Sequence, residues 1–155
     1  MRYSIDTSSL INGFRDYYPY LMIPRLWNED LPALVASGEL RATEEVYFEL
    51  KRQDDELIQW IDDYREELFI EVDEAIQEEV RAILRDHTAL VHAGRGRSGA
   101  DPFVVALAKL NVCSVVTEER RGSPNHPKIP DVCEALGVPC IRLVDMISEQ
   151  GWVYG

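Results

Sequence analysis

Four carboxylates carry the chemistry this sequence suggests: Asp6 in YSIDTSS, Glu49 in EEVYFELKR, Asp101 in GADPFVVALA and Glu119 in VVTEERRG. Asp6 follows the first expected strand, Glu49 lies on a crossover helix, Asp101 opens a late helix and Glu119 follows the next strand. In an open α/β sheet, ligands bind beyond the C-terminal ends of the strands. Carboxylates gathered there repel one another unless a hard divalent cation neutralises them, and oxygen ligands suit Mg²⁺ or Mn²⁺. That points to metal-assisted chemistry on a phosphate ester. Singly, each acid also has a plainer reading. Asp6 and Asp101 stand where helix caps stand, Glu49 shares a solvated helix face with Glu45, and Glu119 sits in the charged run EERR. Glu45 and Glu118 therefore remain alternatives to Glu49 and Glu119.

The acids need a frame to bring them together. Arg2–Ile5 reads as a strand, and Thr7, Ser8 and Ser9 supply cap chemistry for a helix through Phe14. Pro24 starts a second helix that Gly38 ends. Residues 39–42 read as a short strand, and Thr43 caps a helix whose apolar positions are Val46, Phe48 and Leu50. Leu57 to Tyr64 repeat at helical spacing, Leu68–Val72 reads as strand or extended linker, and Glu74–Arg85 is amphipathic. GRGRSG at 94–99 is a loop leading to Asp101. Pro102 opens a buried helix through Leu110. Val112–Thr117 is an apolar strand of the kind buried on both faces. A polar loop, a helix from Pro130 to Leu136, a strand over Pro139–Leu143 and a last helix with Met146 and Ile147 complete the chain. Strands separated by helices imply a parallel sheet with right-handed crossovers: one three-layer α/β/α sandwich over residues 1–155.

Composition sets the bounds. At 155 residues, 46% hydrophobic and 28% charged, this is an ordinary globular domain. No apolar run reaches the roughly 18 residues of a membrane span and the start lacks a signal-peptide core, so a cytoplasmic protein is expected. Cys113, Cys133 and Cys140 show no CxxC spacing, and His87, His92 and His126 show no HxxxH, so buried thiols are expected rather than zinc. The net charge of −12 is unevenly spread. Residues 51–86 hold 13 acids against 5 bases, a net −8, while residues 87–129 hold six bases against three acids, a net +3. Charge acts locally over a screening length of ~10 Å, so a basic rim beside the acids suits a polyanion. Arg95, Arg97, Arg120 and Arg121 are its candidate backbone contacts.

IDTSSLI, EVYFEL, ADPFVVALA and VVTEE together resemble the PIN domain, the small metal-dependent ribonuclease fold of many toxin–antitoxin toxins. The likeness runs over nearly the whole chain. With the late KIPDVCEALGV segment and the closing GW, it resembles more narrowly the uncharacterised DUF4411-type branch of PIN-like proteins. The resemblance implies that Asp6, Glu49 and Asp101 match the central metal-binding acids. Glu119 departs from the Asp usual at the fourth place, Thr117 matches a small hydroxyl residue, and Thr7 and Ser8 are placed to orient Asp6 or touch a ligand.

It further implies hydrolysis of RNA with Mg²⁺ or Mn²⁺, leaving a 5′-phosphate and a 3′-hydroxyl. A cognate antitoxin, feeding a basic side chain into the acids, and homodimerisation are the implied partnerships. Two rivals stand beside this. A phosphatase using Asp6 as nucleophile lacks its DxDxT signature, and a non-catalytic PIN-like protein would bind RNA or antitoxin without cutting. Trp27, Trp60 and Trp152 are expected in the core.

Overall fold

The computed structural model describes residues 1–52, 55–88 and 99–155. Its centre is a five-stranded, all-parallel sheet in the order β3-β2-β1-β4-β5. The strands are short: β1 Tyr3–Ile5, β2 Leu40–Thr43, β3 Phe69–Ile70, β4 Ser114–Val116 and β5 Cys140–Ile141. Every residue of β1 is buried, as expected of a strand covered on both faces. Its one polar member, Ser4, donates its hydroxyl to the carbonyl of Val104 at 2.8 Å, so burial leaves nothing unpaired.

The chain steps outward from β1 to β2 to β3, then returns to the other side of β1 for β4 and β5. Right-handed crossovers therefore place two groups of helices on opposite faces. One face carries α1 Thr7–Asn12, α2 Leu31–Ala36, α3 Glu44–Leu50, α4 Asp55–Asp63 and α5 Arg65–Leu68. The other carries α6 Glu74–Asp86, α7 Asp101–Asn111 and α8 Ile129–Leu136, while α9 Leu143–Glu149 lies with the first group, its Glu149 accepting from the Tyr3 hydroxyl at 2.8 Å. This is the expected α/β/α sandwich. Among the described residues, no helix is long and apolar enough to cross a membrane.

Local chemistry sets the element ends. Asp6 caps α1 and Asp73 caps α6, the latter accepting from the Ile76 N–H at 2.8 Å. Pro102 sits at the start of α7, and Gly38 and Gly137 take φ of +80° and +68° where α2 and α8 stop. α1 runs on into a wider π turn over Gly13–Tyr17 that packs on α9; a Cβ at Gly13 would lie 2.6 Å from Leu143 Cδ2. Trp27 and Trp60 are buried edge-to-face with ring centroids 5.3 Å apart, while Trp152 is half-buried against the core.

Three local expectations are corrected. Val112 is not in a strand: it takes the left-handed conformation that ends α7 and is 93% exposed, so β4 begins at Ser114. Leu143 starts α9 rather than ending β5, because the Asp145 carboxylate accepts the Arg142 N–H at 2.9 Å and closes the first turn there. Phe48 faces solvent instead of the core, its ring meeting Tyr47 edge-on.

Candidate active site

Where β1 and β4 lie side by side the direction of winding reverses, and a crevice opens at their C-terminal ends. Register pairs Ile5 with Val116, so Asp6 and Thr117 leave the sheet as neighbours. Asp6 is buried, and its Oδ2 accepts from the Ser8 hydroxyl at 2.6 Å and the Thr117 hydroxyl at 2.9 Å. A longer contact of 3.4 Å comes from the Ser8 N–H. Both hydroxyls spend their proton on Asp6 and accept from the loop beyond β4: Glu118 N–H to Ser8 Oγ at 3.0 Å, Glu119 N–H to Thr117 Oγ1 at 3.1 Å. The loop's backbone is thus tied through two hydroxyls to one carboxylate. Burial pushes the Asp6 carboxyl above its usual range, against the pull of these donors.

Glu49, in the last turn of α3, is pushed up to about 7, first by burial and then by the Asp6 charge, with Glu119 adding to the rise. The Ala100 backbone opposes it, which seats the Glu49 carboxylate at the start of α7 beside Asp101. The Thr7 hydroxyl also tempers the rise from nearby, without a closed hydrogen bond: its buried oxygen has no partner. Glu119 is raised by burial and by Asp6, with the Ile129 N–H holding its Oε2 at 3.2 Å. Asp101 is buried as the first residue of α7. Asp6, Glu49 and Glu119 therefore share one electrostatic field, and Asp101 adjoins it.

The two open choices divide clearly. Glu118 turns away: its carboxylate takes the Leu143 N–H at 2.8 Å and Arg142 Nε at 3.1 Å, which makes it a brace for the start of α9. Glu119 is the one facing Asp6. Glu49 is the member of its helix whose neighbours are Asp6, Glu119 and Ala100. Glu45 lies in the first turn of the same helix.

Among the described residues, no three His, Cys, Asp or Glu side chains close to metal-binding distance. The donor set nonetheless fits a hard cation: it offers carboxylate oxygens only, two of them raised by burial and then by the Asp6 charge, beside the orphaned Thr7 oxygen.

Beside the acids a cavity of about 670 Å³ is walled by Thr117, Glu119, Arg120, Arg121, Cys140 and Arg142. Arg121 is paired with Glu134 and Arg142 with Glu118, which leaves Arg120 exposed and without a partner among the described residues. Arg95 and Arg97 lie outside the described residues. Arg142 and Cys140 were not anticipated. The signal was available, since Cys140 opens the last strand and Arg142 follows it, but reading that strand through to Leu143 hid it. Another cavity, about 630 Å³ between Phe14, Tyr20, Trp60 and Tyr64, holds none of the four acids.

The family model described as a domain of unknown function, DUF4411, matches residues 3–154. The chain belongs to this family. Its match takes in every residue of the crevice, from Asp6 to Arg142. No curated protein matches the DUF4411 chain.

Proposed function

We propose that this chain is a divalent-metal-dependent endoribonuclease with a PIN-like active site, acting as the toxin of a toxin–antitoxin pair. One observation carries the reading: at the sheet's reversal point Glu49 and Glu119, far apart in sequence, are raised first by burial and then by the charge of the buried Asp6, with Asp101 adjoining. Natural folds rarely gather like charges without a counter-charge. Asp6, Glu49, Asp101 and Glu119 are the residues that would hold Mg²⁺ or Mn²⁺. A bound ion supplies Lewis acidity, making water a stronger nucleophile and offsetting charge on the attacked phosphate.

The chain's own residues do the positioning. Ser8 and Thr117 fix the Asp6 carboxylate, and through it the loop that carries Glu119. Ile129 N–H restrains Glu119, and Arg120 is available to hold a backbone phosphate over the cavity. A basic antitoxin side chain entering the acids would switch the site off. A second reading, a protein that binds RNA or antitoxin without cutting, is favoured by the acids' lack of a closed metal-distance group among the described residues.

Cleavage of a mixed RNA pool with Mn²⁺, wild type beside Asp101→Asn, distinguishes them. Internal cuts that chelation abolishes and that the folded variant lacks are expected. Intact RNA would leave the binding reading, free phosphate from small esters would indicate a phosphatase, and equal cutting by both proteins would mean a wrong site.

A further inference from the structure

Two pairs of aromatic rings wall the cavity of about 630 Å³ that holds none of the four acids. Phe14 lies in the π turn and Tyr20 in the loop after it, their rings stacked with centroids 5.4 Å apart. Trp60 lies on α4 and Tyr64 just past its end, with centroids 5.0 Å apart. Trp27 joins the pairs from behind, edge-on to Phe14 at 5.0 Å and to Trp60 at 5.3 Å. Both indoles are locked: Trp60 Nε1 donates to the Trp27 carbonyl and Trp27 Nε1 to the Tyr18 carbonyl, each at 2.7 Å. The floor is therefore fixed before any ligand arrives.

Charge selects the occupant. Glu56, Gln59, Trp60, Asp63 and Tyr64 follow helical spacing and share one face, which lays two carboxylates beside the rings. α4 holds four acids and no base, and its C-terminal end, where the backbone dipole is negative, reaches the cavity at Asp63. Arg15 is the one base among the described wall residues. Burial, then the charges of Asp63 and Glu67, push the Tyr64 phenol above its usual range, in keeping with negative potential there. Ring faces attract cations, and an alkylated ammonium, being weakly hydrated, loses least on leaving water. A nucleotide could stack on the same rings, but its phosphate would meet like charge. The volume lies within the roughly 300–1,000 Å³ of small-ligand pockets.

We propose that this cavity is a binding site for a small organic cation, an alkylated ammonium ion held by the ring faces and the Asp63 carboxylate. It shares no wall residue with the cavity beside the four acids, so the inference stands whether or not that crevice cuts RNA.

The test is a titration of choline with the full chain, followed by the choline N-methyl proton signal in NMR. That signal should move upfield, as contact with ring faces requires, and saturate. The uncharged carbon isostere 3,3-dimethylbutan-1-ol should bind roughly tenfold more weakly. Tyr20 and Tyr64 are only half-buried, so Tyr20→Leu and Tyr64→Leu keep apolar bulk and should fold. Each should weaken choline binding by roughly tenfold, while Tyr64→Phe retains it. Asp63→Asn, an exposed change, should weaken binding at low salt and much less at high salt. No saturable shift, equal binding of the isostere, or an affinity untouched by both leucine substitutions would each overturn the proposal. So would binding of a trimethyl-lysine peptide but not of choline, because the occupant would then be a partner's side chain.

Discussion

Asp6 is the residue on which the site turns, because its Oδ2 gathers both hydroxyls that steady the β4 loop. Its charge adds to burial in raising the Glu49 and Glu119 carboxyls. This has a pH signature in metal-free protein. Glu49 titrates near its ordinary 4.5 when unfolded but at about 7 when folded. The folded state therefore binds its proton more tightly, so this contribution to stability is complete below the unfolded value and is lost as pH rises towards 7. Thermal melts in chelator should show the melting temperature falling across that window, and Glu49→Gln should flatten the fall; equal slopes would deny the shared field. Added Mn²⁺ should show the reverse trend, its stabilisation growing with pH because ligands bind deprotonated. The types and rough places of these acids were legible in the sequence. The choice between Glu118 and Glu119 was not, because neighbours on extended backbone face opposite ways and only the structure says which way.

At the scale of elements, the brace formed by Glu118 and the end of α7 are directly testable. Glu118→Ala should strip the buried Leu143 N–H of its acceptor and cost about 1–3 kcal/mol in denaturant unfolding while sparing the four acids. A loss of cleavage larger than the loss of folded protein would instead place Glu118 in the site. Val112 has φ 51° at an exposed position, where a β-branched residue stores strain and buries nothing. Val112→Gly should raise stability by up to about 1 kcal/mol, read as a higher denaturation midpoint with unchanged slope. A lower midpoint would show that the left-handed cap is not strained. Most elements were legible: helix periodicity, Pro102, Gly38 and the apolar VCSVV run each announced their element. Boundaries failed where a good β-former was taken by a helix end. Val112 reads as strand by its side chain, and Leu143 by its apolar neighbours, yet capping geometry decided both.

At the scale of the whole molecule, the proposed ribonuclease carries a net charge of −12 and would hold its polyanion with few cations. Among the described residues Arg121 and Arg142 are engaged by Glu134 and Glu118, while the exposed Arg120 and Lys128 stand beside the acids. RNA binding should accordingly depend only weakly on salt, and Arg120→Ala should reduce the slope of log affinity against log salt by about 1. An unchanged slope would take Arg120 out of the interface. Sequence yielded the parallel sheet and its layers, but not the strand order, which depends on where long crossovers return. The reversal point between β1 and β4 therefore emerges only from the pairing of Tyr3 with Ser114. That pairing joins strands that are synthesised far apart in time. The ribosome delivers the sheet's middle first, and one of its flanks is made only after most of the protein has emerged. A message broken before Asp101 would release a product whose innermost ribbon has a bare side, prone to clumping and to proteases.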